Sequence, residues 1–388
     1  MRRSLRFLLA SDFSNDRNSG AAGSLLMLGD ALRESGHVVD YIWKSPERYR
    51  LPHPRLAQLF ELPHRQCRQV DRKLQEARQD VVMVSQPYAY LLYERLPSRY
   101  PNTLFLNCTH GWEERADHSE RLFRWRANST PARLGIRRIT AAFRRRACRR
   151  TAGSCHGLIA PCSLCARFVE TAYGIPATKV AVIPRGLERE FLTAEPRVIT
   201  TSDRVRMLFV GSYIARKGTR VMESLLPDLG GKFRNASLTF VVPDHAISHV
   251  RSLYQPTFGD RLTVHGWMAR KELVGVYATH DIFLFPSLLE GFGMTFLESM
   301  ACGMCVIGYR EGGLGDLAVS GQHALYCDVG SEAELRDLLE SALQRPQEVK
   351  EIGARAQVLA RQYSWLRAAE HLEDFCIRLR PQLASPRL

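Results

Sequence analysis

Short apolar runs alternate with amphipathic segments along almost the whole chain, and no other feature restricts the fold as tightly. The runs that read as strands are Leu5–Ala10, His37–Ile42, Asp80–Ser85, Asn102–Asn107, Gly157–Pro161 and Val180–Pro184, then Val205–Val210, Leu238–Val242, Arg261–His265, Ile282–Phe285 and Met304–Ile307. Helical patterns lie between several of them, as in Ser24–Ser35, where Leu25, Leu28 and Leu32 recur at helical spacing and Gly36 closes the helix. Such alternation requires parallel sheets covered on both faces. The pattern lapses over Glu188–Arg206, around Thr200-Thr201-Ser202-Asp203, which reads as a linker. Because 388 residues exceed one ordinary core, the expected domains are 1–190 and 191–363, facing each other across a cleft. The remainder, 364–388, begins with the amphipathic helix Ser364–Arg380, with Trp365, Leu366, Ala369, Leu372 and Phe375 on one side. No strand follows it, so it is expected to cross back toward the N-terminal domain.

Composition narrows the classes. Hydrophobic residues at 45% and charged residues at 24% describe a globular chain rather than a disordered one. No apolar run approaches the roughly 18 residues of a membrane-spanning helix, and Met1–Ala10 has too short an apolar stretch for a signal peptide, so a cytoplasmic protein is expected. Residues 1–200 hold 33 Lys+Arg against 19 Asp+Glu, whereas residues 201–388 hold 21 of each. The whole net charge of +14 therefore sits in the first half and calls for an anionic partner there. Two Cys-x-x-Cys pairs, Cys162/Cys165 and Cys302/Cys305, lie too far apart for a zinc ribbon. Reduced core thiols are expected.

The densest local signal is the segment Pro286–Gly303. It follows the run Ile282–Phe285, carries Glu290-Gly291-Phe292-Gly293-Met294-Thr295 and opens a helix holding Glu298. Gly291 and Gly293 let the chain turn tightly and bring backbone N–H groups close to an anion. A carboxylate accepts two hydrogen bonds, so Glu290 in the loop and Glu298 near the second helical turn can clamp hydroxyls of one polyhydroxylated ligand. The plainer reading is a strand–helix turn with one solvated Glu.

This segment resembles the Glu-x7-Glu motif of retaining glycosyltransferases with the GT-B fold, the group called family 4 or glycosyl transferases group 1. Further matches are Gly211-Ser212-Tyr213-Ile214-Ala215-Arg216-Lys217-Gly218, Val264-His265-Gly266-Trp267-Met268 and Gly312-Gly313. In the first half they are Thr109-His110, Gly20-Ala21-Ala22-Gly23 and Val182-Ile183-Pro184-Arg185-Gly186. The resemblance implies an α/β architecture of two Rossmann-like domains, the first binding acceptor and the second binding a sugar-nucleotide donor. It implies that Glu298 binds ribose hydroxyls and Glu290 contacts the transferred sugar. Arg216 and Lys217 are placed like the family's diphosphate-binding pair, just past the Gly211 turn, where two fixed cations stabilise the leaving group. No Asp-x-Asp occurs, so the usual carboxylate site for a divalent metal is missing and neither a metal nor another cofactor is expected.

The resemblance also implies that the amides of Phe292, Gly293 and Met294, with Thr295, face the donor at a helix N-terminus. His265 and Trp267 fall in the loop beside the nucleobase, where Trp267 either stacks on the base or packs on its own sheet. His110 matches a histidine near the donor sugar and phosphates, with a helix-capping or core role as the rival. Gly20 and Gly23 would form a loop near the diphosphate or acceptor, although Ala21 and Ala22 interrupt the family's Gly-Gly. Cys305 stands where relatives carry proline.

The expected reaction is retaining, metal-independent transfer from a nucleotide-diphosphate sugar to a glycan, glycolipid or lipopolysaccharide-type acceptor. The acceptor is expected at an anionic membrane, with the enzyme peripheral on its inner face through Arg121–Arg150. That span holds eleven arginines and no acidic residue, and Ile136, Ile139, Thr140, Phe143 and Ala147 recur at helical spacing as an apolar face. A dinucleotide enzyme is disfavoured because Ser11-Asp12-Phe13-Ser14-Asn15, not Gly-x-Gly-x-x-Gly, follows the first strand. The basic run lacks the interleaved aromatics of a nucleic-acid platform, so no nucleic acid is expected. The alternative is a basic nucleic-acid- or membrane-binding protein with a non-catalytic fold of the same kind.

Overall fold

Parallel strands buried on both faces need near-continuous apolar sequence, and the strands here have it. The computed structural model describes residues 3–17, 19–44, 49–51, 56–85, 87–108, 112–123, 131–195 and 204–383. Among them, residues 3–118, 131–186 and 365–383 make one compact unit, and residues 119–123 and 187–364 make a second. The first unit's sheet comprises β1 (Arg6–Ser11), β2 (Val38–Ile42), β3 (Val81–Ser85), β4 (Leu104–Cys108), β5 (Gly157–Ala160) and β6 (Val180–Val182), in the order β2-β1-β3-β4-β5-β6. The second unit's sheet comprises β7 (Val205–Val210), β8 (Ala236–Val241), β9 (Leu262–His265), β10 (Ile282–Phe285), β11 (Cys305–Tyr309) and β12 (Ala324–Cys327), in the order β12-β11-β10-β7-β8-β9. All the strand pairings are parallel.

Each sheet reverses its strand order once, at β1/β3 and at β7/β10. Connections from the two strands leave in opposite directions there and open a crevice at their carboxyl ends, the usual ligand position in such sheets. The strand missing from the sequence reading is β12. It is a four-residue edge strand with Leu325 and Tyr326 half-buried; Ala324-Leu325-Tyr326-Cys327 is apolar throughout, but the run is short and stands between the polar His323 and Asp328.

Buried acceptors finish the amino edges of the sheets. Asp80 Oδ2 accepts the Arg6 N–H at 2.9 Å, and Asp281 Oδ2 accepts the Arg206 N–H at 2.8 Å. Two imidazoles do the same in the first sheet, where Leu5 N–H donates to His37 Nδ1 at 3.2 Å and Phe105 N–H to His156 Nδ1 at 3.0 Å. All ten cysteines are free and buried, and burial pushes the Cys155 thiol up to about 12.

Four local expectations need correction. Gly20 and Gly23 do not form a loop: the helix Gly20–Glu34 begins there, because Ser19 Oγ accepts the Ala22 N–H at 3.0 Å. The supposed linker contains the helix Arg189–Leu192, and Glu188 before it is committed to an ion pair, while residues 196–203 lie outside the described residues. The C-terminal helix Trp365–Leu379 packs on the helix Gly20–Glu34 and on Gly157 through Phe375 and Leu379, but Leu366 points away at 38% exposure.

In the helix Pro131–Ser154 the packed face includes Thr140, Arg144 and Ala147, whereas Phe143 is 53% exposed. Arg144 is buried because its Nη2 donates to Asp117 Oδ2 at 2.6 Å and its Nη1 to Thr140 Oγ1 at 2.8 Å. Arg145 pairs with Glu114 and Arg150 with Glu94. Carboxylates distant in sequence thus pair with three arginines of a run that contains none. Arg124, Arg126 and the side chains of residues 131–139 lie outside the described set. No helix of the described residues is long and apolar enough to cross a membrane.

Candidate functional site

The strand order of the second unit brings two distant segments together. After β7 the chain passes Gly211, makes the short turn Ala215–Lys217 and enters the helix Thr219–Lys232 through Gly218. After β10 it passes Pro286 and Glu290 and enters the helix Met294–Ala301. Gly218 makes the approach possible: its φ is +79°, and a Cβ there would lie 2.0 Å from the Pro286 carbonyl oxygen. The segments are then joined by Leu288 N–H to Arg216 O at 2.9 Å and by Arg216 Nη1 to Leu289 O at 2.7 Å.

Both cations converge on Glu290. Lys217 Nζ donates to its Oε1 at 2.5 Å, and Arg216 Nη1 lies 3.9 Å from its Oε2. Burial alone would raise the Glu290 carboxyl, but Lys217 and Arg216 outweigh it and hold the group below its ordinary value. The Glu290 N–H is held by Glu311 Oε1 at 2.9 Å.

Glycine again sets the neighbouring contact. At Gly312 (φ +63°) a Cβ would lie 2.3 Å from Phe292 O, and Gly313 N–H donates to that oxygen at 2.8 Å. Phe292 is thereby buried against Phe296, so its ring belongs to the core. Gly293, in the left-handed region, is the N-cap of the helix, and no side chain caps it. Met294 and Thr295, both half-buried, form the first turn. An uncapped helix start beside two cations favours a bound anion.

Glu298, on the same helix, is 2% exposed. Its Oε1 lies 3.1 Å from Arg270 Nη2, and Tyr277 O–H donates to its Oε2 at 3.3 Å. Arg270 also pairs through Nη1 with Glu188 Oε1 at 2.7 Å. Burial pushes the Glu298 carboxyl above its ordinary value; Arg270 and Tyr277 pull against that, and Glu188 adds to it. Two similar glutamates are therefore tuned in opposite directions.

The loop after β9 lies two strand spacings from β7, roughly 10 Å. Asp244 Oδ1 accepts the Trp267 N–H at 3.3 Å, and a Cβ on Gly266 would lie 2.3 Å from that oxygen. Trp267 does not pack on the sheet; at 55% exposure it is presented outward, and His265 is half-buried at the strand end.

Arg216, Lys217, Glu290, Gly293 and Glu298 are thus gathered in one unit. Thr109 and His110 lie outside the described residues, and Gly20 and Gly23 belong to the first unit. Sequence reasoning missed Arg270, Glu188, Tyr277 and Glu311. Glu311 immediately precedes the Gly312-Gly313 signal and Glu188 closely follows Pro184-Arg185-Gly186, but nothing local distinguishes Arg270 from a solvated helix-start arginine.

Two family models cover most of the chain. Glycosyltransferase Family 4 matches residues 18–191, and Glycosyl transferases group 1 matches residues 195–358, the segment with the paired glutamates and both cations. The chain belongs to the family 4 glycosyltransferases. It is 25% identical to one subunit of the human phosphatidylinositol N-acetylglucosaminyltransferase over 53% of this chain and 43% of that one. It is 24% identical to the GDP-mannose-dependent alpha-(1-6)-phosphatidylinositol monomannoside mannosyltransferase of Mycobacterium tuberculosis over 53% and 57%. The chain spans about half the length of the curated relatives it matches. Among solved structures, sucrose-phosphate synthase from Thermosynechococcus elongatus superposes with a TM-score of 0.73 at 16% identity, over 95% of this chain and 98% of that one. The fold is accordingly of the GT-B type.

Proposed function

We propose that this protein transfers a sugar from a nucleoside-diphosphate sugar to a glycan or glycolipid acceptor, with retention of anomeric configuration and without a metal. The observation that carries this reading is the convergence of Arg216 and Lys217 on Glu290 beside the uncapped start of the helix Met294–Ala301. The diphosphate draws the two cations and the helix N–H groups, which together stabilise the charge that grows as it leaves. Glu298 receives the ribose hydroxyls. Glu290, ionised and anchored, positions the transferred sugar rather than attacking it. The acceptor approaches from the face that the diphosphate leaves, and a diphosphate oxygen takes the acceptor proton, so no enzymic nucleophile is needed.

Thermal-shift titration with UDP, GDP, ADP and CDP identifies the base, because a ligand that binds only the folded state raises its melting temperature. Arg216→Ala or Lys217→Ala is expected to lower kcat more than donor affinity, since the contribution grows with the developing charge. Full activity in EDTA and a retained anomer by NMR are expected. Strict dependence on Mg²⁺ or an inverted product overturns the scheme, and co-purifying nucleic acid with no response to any nucleoside diphosphate favours the non-catalytic alternative.

A second reading concerns where the acceptor is met. Two relatives are named for phosphatidylinositol-based acceptors, which supports a lipid-linked one here. Phe60 and Phe143, 44% and 53% exposed, contact edge-to-face at 5.8 Å, with exposed Arg146 one turn from Phe143. Aromatic rings flanked by arginine suit the interface plane of an anionic bilayer. Co-sedimentation with anionic vesicles is expected to fall with salt and in a Phe60→Ser/Phe143→Ser/Arg146→Ser variant. Equal sedimentation with neutral vesicles removes the reading. Arg144 is unsuitable for this test because it is part of a buried ion pair.

A further inference from the structure

The carboxyl edge of the first sheet contains buried polar groups that its fold leaves without matching partners. Ser85 ends β3 at 3% exposure, and its Oγ has no hydrogen-bond partner among the described residues. Arg185, just past β6, is 5% exposed, and its hydrogen bond is from Nη2 to Cys108 Sγ at 3.4 Å. No carboxylate pairs with it among the described residues. A thiol is a weak acceptor, and a guanidinium taken out of water is costly unless an anion compensates it.

Topology brings these groups to one place. Cys108 ends β4, and the parallel register Val84–Asn107, carried one residue further, sets Ser85 beside Cys108. In-register neighbours share a face about 4.8 Å apart, so the Ser85 hydroxyl lies near the thiol that Arg185 touches. Ser11, which ends β1, pairs with Ser85 in the same row. Its Oγ accepts the Phe13 N–H at 3.2 Å, which leaves its own proton to donate. The row crosses β1/β3, where the strand order reverses and ligands of such sheets bind.

We propose that Arg185, Ser85 and Ser11 form a phosphate-binding subsite at the carboxyl edge of the first sheet. One guanidinium already satisfies a planar carboxylate, whereas hydroxyls arriving from two neighbouring strands suit the remaining oxygens of a tetrahedral phosphate. The phosphate is that of a phosphorylated sugar acceptor. The subsite is distinct from Arg216 and Lys217, which belong to the second unit.

Melting of the full chain, with the Arg216 and Lys217 site first saturated by the nucleoside diphosphate that binds it, during titration with inorganic phosphate, glucose 1-phosphate and acetate tests the proposal without any turnover. Transferase activity and phosphate binding therefore stand or fall separately. Phosphate and glucose 1-phosphate are expected to raise the melting temperature saturably, and acetate is not. Arg185→Met is expected to abolish the shift while melting no lower than the parent in phosphate-free buffer, because it removes an uncompensated buried charge. Ser85→Ala is expected to weaken phosphate about tenfold by calorimetry. Absence of any shift in the parent chain, or a shift that survives in Arg185→Met, overturns the subsite. Should Arg185→Met not fold, unchanged phosphate affinity in Ser85→Ala overturns it equally. Loss of glucose 1-phosphate binding with nucleoside-diphosphate binding intact in Arg185→Met supports the acceptor subsite, and loss of both overturns it.

Discussion

Glu298 and Glu290 are both buried carboxylates with cationic partners, yet one is raised and the other lowered. Glu290 has two cations on it, while Glu298 shares Arg270 with Glu188. Glu298 should therefore titrate above an ordinary glutamate and Glu290 below one. Nucleotide affinity, if it needs the Glu298 carboxylate, is expected to weaken as pH falls through that group's raised value, sooner than an ordinary glutamate would allow; calorimetry with the preferred nucleoside diphosphate across acidic pH checks this. Glu298→Ala is expected to cost about 1.5–3 kcal/mol of that affinity at neutral pH with the fold intact. Arg270→Met should move the pH midpoint upward because Arg270 opposes the desolvation that raises Glu298, whereas Arg270→Lys should move it less; a midpoint that stays put in Arg270→Met removes the role. Arg216, Lys217, Glu290 and Glu298 are legible in the sequence because glycines and a strand–helix pattern frame them. Arg270 is not, because its importance comes from Glu188 and Glu298, which reach it only through the tertiary fold.

Turns at the ends of β7 and β10 convert sequence into a site, and glycine geometry is the hinge of that conversion. Gly218→Ala is expected to destabilise the second unit by more than about 1 kcal/mol, since it combines a positive φ with a contact against the Pro286 backbone. It should also loosen the Arg216–Leu288 bond and hence nucleotide binding; chemical unfolding and calorimetry on one sample separate the two losses. Most strands could be read from apolar runs because parallel sheets bury both faces. β12 escaped although its four residues are apolar, because so short a run between His323 and Asp328 is weak evidence for a strand. The helix Pro131–Ser154 was misjudged for a different reason: spacing identifies which residues share a face, but not that Asp117 waits to receive Arg144 on the packed one.

At the scale of the whole molecule, acid sensitivity follows from the two imidazoles at the amino edge of the first sheet. Burial first, and for His156 also Arg380 and Lys179, lowers both histidines below 6.5; at His37 the nearby Glu373 opposes burial without overcoming it. In the window between those lowered values and 6.5 the unfolded chain binds more protons, so stability declines as pH falls through it. Melting at pH 7.5 and 5.5 is expected to show this, with a smaller decline in His156→Asn, which keeps an acceptor for the Phe105 N–H and has no proton to take up.

The helix Trp365–Leu379 belongs to the first unit although all of residues 187–364 precede it in the chain. On a ribosome, the second unit is complete while the first still shows an uncovered face on the helix Gly20–Glu34 and at Gly157. Domains generally fold as units during synthesis, so the half begun first is the half finished last. For that interval its apolar surface is open to nascent-chain chaperones, and a stop codon placed after Ser364 would make the exposure permanent.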